Sequence, residues 1–322
     1  MILQNYEAPY VHCPRNRCDN VFLRRTTTNG VTERASARSV PRVTRSEPRN
    51  LAQRTLVPRT GVTDLGLGEL RHHRDLLFLF VRRELKLRYT QTVLGPLWVL
   101  LNPLLPAVVF SFIFTRVVHL ETGPVHYLLL VTTAMIPWTT FSRSLTRGGG
   151  SLIAERNLLT KVYFPRLLIP LAIVLSSVAD LLVSLAVALA VFHGSGARLT
   201  PRLVLLPVLI VWTLALSFGV TVAFAGLSVR RRDLINALPF VTQVLLYASP
   251  VAFPLFSVPI GIRNVMRWNP IASLVEAFQW ALSGRTAMPL QDLAIGLGSC
   301  AAIVLLGLMA FSVGQRAVAD VL

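Results

Sequence analysis

The sequence predicts an all-α integral membrane protein: six transmembrane helices, an N-terminal amphipathic interface helix, and external re-entrant helices between spans five and six. Three observations predict it. Of 322 residues, 53% are hydrophobic and only 15% charged, against roughly 25% charged in a soluble domain. The apolar residues lie in runs long enough to cross a bilayer, which takes about 20 residues. The formal net charge is nevertheless +17, and much of that excess borders the runs on one side. A disordered chain is excluded over most of the length by its hydrophobicity, and three cysteines cannot make a disulfide scaffold.

Residues 1–60 read as a disordered basic extension, with eleven Arg against four acids and no apolar run that could form a core. No apolar h-region follows its charges, so it is not a secretory signal, and Arg24-Arg25 is not a twin-arginine leader. Contact with acidic lipid head groups and an upstream translation start stay open for it. His12, Cys13 and Cys18 fall short of the four ligands of a structural zinc site.

Residues 61–92 form a second zone, expected to be a cytoplasmic interface helix. In Glu69–Tyr89 the uncharged core Leu76–Val81 is too short to span. Leu70, Leu77, Val81 and Leu85 share a face, Arg71, Arg82 and Lys86 lie towards the other, and Leu79 breaks the pattern. A helix lying in the interface fits this; a soluble helix packed on a partner is the alternative.

Residues 93–322 make the six-helix domain. The spans are Val93–Thr115, Val125–Phe141, Leu167–Phe192, Leu203–Val229, Leu234–Phe253 and Leu293–Gly314. Fifteen basic residues flank the spans on the side of both termini and six on the other, so the positive-inside rule puts both termini in the cytoplasm. Asp180 in span three is the lone carboxylate of the membrane interior, with hydroxyls of a neighbouring helix as its expected partners. Gly148-Gly149-Gly150 reads as a turn leaving span two, and Cys300 as a small buried hydrophobe.

Between spans five and six, Ser249-Pro250 and Pro254 interrupt the chain. Trp268-Asn269-Pro270 then looks like a helix start, with Asn269 as N-cap and Pro270 in the first turn. Ile271, Leu274, Val275, Phe278 and Leu282 follow on one face, Ser273, Glu276 and Trp280 on the other, and Gly284 is the stop. The helix is too short to cross, which predicts a re-entrant or interfacial element near a pathway exit; a structural cap is the alternative.

No G-x-x-x-x-G-K-[ST], H-E-x-x-H or G-x-S-x-G motif is present, and neither Lys86 nor Lys161 follows the glycines a phosphate loop needs. Catalysis by this chain is therefore not expected, and transport energy has to come from another subunit. The docking element sought for that subunit is the loop Arg147–Arg166. There Leu158, Leu159 and Val162, among Glu155, Arg156, Asn157 and Lys161, could enter a groove on a partner. A solvated loop carrying positive-inside charge is the equal alternative from the residues alone.

Six stretches, in order and at matching spacing, resemble the membrane subunits of ABC-2 type polysaccharide, O-antigen and teichoic acid exporters. They are L-R-Y-T-Q-T-V-L-G-P-L-W (Leu87–Trp98), N-L-L-T-K-V-Y-F-P-R (Asn157–Arg166), V-R-R-R-D (Val229–Asp233), S-P-V (Ser249–Val251), W-N-P (Trp268–Pro270) and A-D-V-L (Ala319–Leu322). The resemblance runs from about residue 70 to 322. Thr160 stands where a second basic residue is frequent, and Arg231 where Tyr is frequent.

The resemblance implies a homodimer in the plasma (bacterial inner) membrane, with a separate ATPase dimer binding ATP and Mg from the cytoplasm. This chain itself would hold no cofactor or metal and no nucleic acid. It implies coupling through Glu155, Arg156, Asn157, Leu158, Leu159, Lys161 and Val162, assisted by Arg82, Arg83, Glu84, Lys86 and Arg88 of the interface helix and by Arg230, Arg232 and Asp233 of the second cytoplasmic loop. It implies export of a lipid-linked polysaccharide or teichoic-type polymer. Trp98, Phe110, Phe114, Tyr127, Trp138 and Trp280 are candidates for the channel wall, since aromatic faces suit a sliding sugar chain. Trp268, Asn269, Pro270 and Glu276 mark the external re-entrant element. A drug or simple lipid as cargo, a stand-alone glycolipid flippase or glycosyltransferase, and a scaffold for a cell-wall complex are the competing functions.

Overall fold

The computed structural model describes residues 73–89, 97–119, 127–161, 164–195, 201–255, 258–283 and 290–321, and these contain helices and no strand. The basic extension, with His12, Cys13 and Cys18, lies outside the described residues, as does Val162. The elements are α1 (Arg74–Tyr89), α2 (Leu97–Phe112, continued by a π turn Ile113–Val117), α3 (Tyr127–Gly148), α4 (Ser151–Ala154), α5 (Arg156–Lys161), α6 (Leu168–Ser176), α7 (Val178–Gly194), a 3₁₀ turn (Pro201–Leu205), α8 (Leu206–Arg230), α9 (Asp233–Tyr247), α10 (Ile260–Met266), α11 (Pro270–Ser283) and α12 (Leu290–Val321).

Among the described residues, four stretches are long and apolar enough to cross a membrane: Leu100–Val117, Leu168–Gly194, Pro201–Arg230 and Gln291–Gln315. The expected second span is the 22-residue α3, whose hydroxyls and Arg143 dilute its hydropathy. The expected fifth span is shorter than predicted. α9 has 15 residues and ends at Tyr247 rather than Phe253, because Pro250 has no N–H to donate and biases Ser249 away from the helical region. The expected third span is interrupted at Ser177, where one N–H is shared between the carbonyls of Ile173 and Val174 at 3.2 and 3.1 Å; serine pairs such as Ser176-Ser177 are common bend sites. The helix at the expected sixth span is longer than predicted, at 32 residues.

α3 is the centre of the bundle, packed by α2, α7, α8, α9 and α11. Sixteen of its residues are buried, including Thr132, Thr133, Thr140 and Ser144. The helix tolerates this because its hydroxyls are satisfied. Thr132, Thr133 and Thr140 donate to carbonyls three or four residues back. Across to α7, Ser144 donates to Ser177 Oγ at 3.0 Å and Thr139 meets Ser184 Oγ at 3.1 Å. None of the hydroxyls of α3 itself is buried without a partner.

α8 and α12 form the tightest pair. A Cβ on Gly307 would strike the Gly219 carbonyl oxygen, and one on Gly314 the Gly226 oxygen. From the other side, a Cβ on Gly226 would lie 2.6 Å from Phe311 Cα. The seven-residue spacing on both helices repeats the same close approach two turns later. Small residues drive apolar spans together through backbone contact, since lipid supplies no hydrophobic force between them.

Candidate functional site

The glycine turn after α3 is set by packing rather than by a ligand. Cβ atoms on Gly148 and Gly149 would run into the side chains of Thr221 and Leu238, and one on Gly150 would press on Ile235 at 3.2 Å. The chain there fits close against α8 and α9, and the reversal delivers α4 and α5 to one end of the bundle. α1 lies at the same end, along α6.

A second apolar cluster holds this end together. Leu152, Phe164, Leu167, Leu168 and Ile173 form it with Val222 and Phe311, and Leu76, Leu77 and Phe80 of α1 pack on it. Phe80 and Phe164 meet with ring centroids 5.5 Å apart. Two ion pairs cross above. Arg83 forks onto Glu155, Nη2 to Oε1 at 2.8 Å and Nη1 to Oε2 at 3.1 Å. Arg147, at the end of α3, returns from Nε to Glu84 at 3.1 Å. Between them is a cleft of about 490 Å³, bordered by Phe80, Leu87, Ile169, Ile173 and Ile235 with the four charged groups. Both arginines are close to half exposed, so each pair contributes less than about 1 kcal/mol. The apolar contacts hold α1 in place, and the ion pairs fix its register against the end of α3 and the α4–α5 turn.

The predicted docking residues divide. Leu158 and Leu159 are half-buried against this chain's own second cluster, so they anchor α5. Arg156, Asn157, Thr160 and Lys161 are exposed. On α1, Arg82, Arg83 and Lys86 are exposed, as are Phe78 and Leu79 at 69% and 59%. Leu79 thus belongs to an outer apolar strip. In the second loop Arg231, Arg232 and Asp233 are exposed, and Arg230 reaches back to the Val313 carbonyl at 3.3 Å.

Asp180 departs from the expectation of hydroxyl partners. It accepts from Arg143 Nη1 at 2.7 Å and from Arg88 Nη1, and Arg88 Nη2 also donates to Ser176 Oγ at 2.9 Å. α1 therefore reaches the carboxylate of α7 directly. A carboxylate buried to this degree is held by charge because hydroxyl dipoles alone do not offset the loss of water.

The aromatic candidates are not gathered on one surface. Trp98 is 51% exposed on α2. Phe110 and Phe114 pack on the main core, where Phe114 stacks on Tyr127 at 5.5 Å, and the Tyr127 hydroxyl donates to the Ala252 carbonyl. Trp138 borders a smaller cleft of about 170 Å³ between α2, α3 and α9. Trp280 lies under the Arg202 guanidinium at 4.8 Å.

At the other end, Asn269 caps α11 as its sequence predicts: Oδ1 accepts from the Ile271 N–H at 3.0 Å. The amide also donates to Ser249 Oγ at 3.0 Å, so W-N-P fills the break that S-P-V makes. Ile271, Leu274, Val275, Phe278 and Leu282 are buried, Ser273 as well, and Trp268 is 72% exposed. Glu276 sits near Arg263, Arg267 and Asp292; burial pushes its carboxyl up to about 7, Asp292 adds to the rise, and the two arginines oppose it. Arg267 and Asp292 approach to 3.2 Å without hydrogen-bond alignment. Among the described residues no group of His, Cys, Asp and Glu is arranged to hold a metal.

Comparison with known proteins follows this geometry. The profile of the ABC-2 type transporter family matches residues 75–282, from α1 through most of α11. The chain is 32% identical over 213 residues to the O-antigen export system permease protein RfbA of Myxococcus xanthus, covering 66% of this chain and 81% of that protein. Identity to the protein of the same name from Klebsiella pneumoniae is 30% over 208 residues, 64% and 79% of the two chains. To the polysialic acid transport protein KpsM of Escherichia coli it is 26% over 222 residues, 67% and 81%.

Proposed function

The chain belongs to the ABC-2 type transporter family, and from that premise we propose that it is the membrane permease of an ATP-driven exporter of a lipid-linked polysaccharide or teichoic-type polymer. The observation that carries the reading is the extent of the match, which takes in α1, the α4–α5 turn and the α10–α11 region together. The relatives' names, O-antigen export and polysialic acid transport, support a glycan cargo over a drug or simple lipid.

In this reading the chain is a multi-pass protein of the bacterial inner membrane with six spans and both termini in the cytoplasm. α10 and α11 are the external re-entrant elements. Two copies enclose the path, and the exposed apolar faces of α2 and α9 meet lipid or the second copy. A separate ATPase dimer binds ATP and Mg. It docks on the exposed Arg156, Asn157 and Lys161 of α5 and on the basic face of α1, with Arg232 and Asp233 nearby. Leu158 and Leu159 hold α5 to the bundle. The crossed pairs Arg83–Glu155 and Arg147–Glu84 make α1, the end of α3 and the turn before α5 respond together when the ATPase closes.

The test is export in cells lacking their own permease. The chain, co-expressed with its ATPase, is expected to restore polymer at the cell surface, and Lys161→Glu should uncouple ATP hydrolysis from export while membrane insertion stays intact. Transport by the chain alone in vesicles without ATP would overturn the assignment.

A further inference from the structure

The coupling elements leave one charge cluster unexplained. Asp180 on α7 is 2% exposed and faces two guanidiniums, Arg88 of α1 and Arg143 of α3. Arginine stays charged in proteins, so this group carries one positive charge in excess. The two arginines are not equivalent. The Arg88 side chain is 12% exposed and is also tied to Ser176; the Arg143 side chain is 31% exposed. Arg88 therefore neutralises the carboxylate from the enclosed side, and the surplus falls on Arg143.

Arg143 opens into the cleft between α2, α3 and α9, beside Asn102, Trp138, Thr139 and Ser142. Surplus charge among apolar spans is costly unless an opposite charge meets it. Among the described residues, Asp180 is the carboxylate within ion-pair reach of Arg88 or Arg143. The described residues leave that charge unmatched, and the cleft gives an outside anion access to it. A guanidinium held on Asp180 through Nη1 has further N–H groups in the planar arrangement that suits an oxyanion, and the Asn102 amide brings further donors.

We propose that Arg143, held by Asp180 and Arg88, is a binding site for a phosphate-type group carried by the transported molecule, reached through the cleft bordered by Asn102 and Trp138. The proposal rests on the export reading, and it makes the surplus charge of the cluster the quantity that sets affinity.

The test uses the full chain in dodecyl maltoside micelles, which contain no phosphate. Dodecyl phosphate, dodecanol and inorganic phosphate are titrated separately by calorimetry. Dodecyl phosphate is expected to bind and dodecanol not to. Arg143→Gln and Arg88→Gln each cancel the surplus while leaving Asp180 one partner, so both should weaken dodecyl phosphate binding by about tenfold or more. Arg143→Lys should retain much of it. Inorganic phosphate binding as tightly as dodecyl phosphate would assign the site to phosphate irrespective of a lipid tail; weaker binding would assign it to the lipid-borne group. Equal binding of dodecanol, or unchanged affinity in both Gln variants, overturns the proposal. Export in cells is scored separately: wild-type binding of dodecyl phosphate without export under co-expression counts against the export reading and leaves the site standing.

Discussion

α2 and α3 are neighbouring helices, both containing proline, and they use their residues in opposite ways. α2 is almost wholly apolar, yet only 11% of Leu100–Val117 is buried. α3 carries five threonines, two serines and two arginines between Thr132 and Arg147 among its apolar residues, yet sixteen of its 22 residues are buried. In water the more apolar helix would be the core. In a bilayer an apolar face is satisfied by lipid, so hydropathy reports what faces lipid, and the protein interior goes to the helix whose small and hydroxylated side chains pack closely and satisfy one another.

Substitutions can break or sharpen that contrast. The largest effect is expected at the charge cluster joined to α3. Asp180→Ala strands two arginines, and should lower stability by about 3–5 kcal/mol, read as a fall in the denaturation midpoint in mixed micelles. Met135→Ala, at a site on α3 that is 1% exposed, should cost about 2–5 kcal/mol by leaving a cavity; a cost below that of any α2 truncation would refute the ranking. Gly148→Val forces a side chain into Thr221 and should cost about 1–3 kcal/mol, visible in thermal melting and relieved in part by Thr221→Ala.

Smaller effects belong to the exposed regions. Arg83→Ala should cost less than about 1 kcal/mol in the isolated chain, because the pair is open to solvent. Its consequence should appear instead in coupling, where the exchanged pair Arg83→Glu with Glu155→Arg restores what either single change loses. Val108→Ala, on the outer face of α2 at 49% exposure, should shift the stability of the solubilised chain by less than about 0.5 kcal/mol. A larger shift would mean that α2 is covered in the solubilised protein.

The local structure around the candidate site could be read from the residues because its signals are local. Asn269 and Pro270 are a helix start in any context, and the cap forms as expected. The glycine turn after α3 is likewise found where the sequence puts it. Leu158 and Leu159 show where the reading stopped. Their apolar character marks an anchor, but a partner's groove and the chain's own second cluster offer the same environment, and only packing distinguishes them. Helix ends moved for similar reasons: α9 stops at Tyr247 because Pro250 follows it, while α12 runs beyond Gly314 because that glycine is a contact with Gly226 rather than a stop.

The sequence by itself determined the class of protein, the order of its apolar helices and the asymmetry of their basic loops, since each depends on composition and spacing along the chain. Tertiary structure alone decided the partners. Arg88 and Asp180 are 92 positions apart, and Arg83 and Glu155 are 72 apart; no periodicity in the chain relates them. Which arginine would neutralise Asp180, and which would keep its charge for something else, depended on how α1, α3 and α7 pack. A bilayer makes every apolar helix acceptable on its surface, so the choice of a core is made by close packing and charge pairing between distant residues.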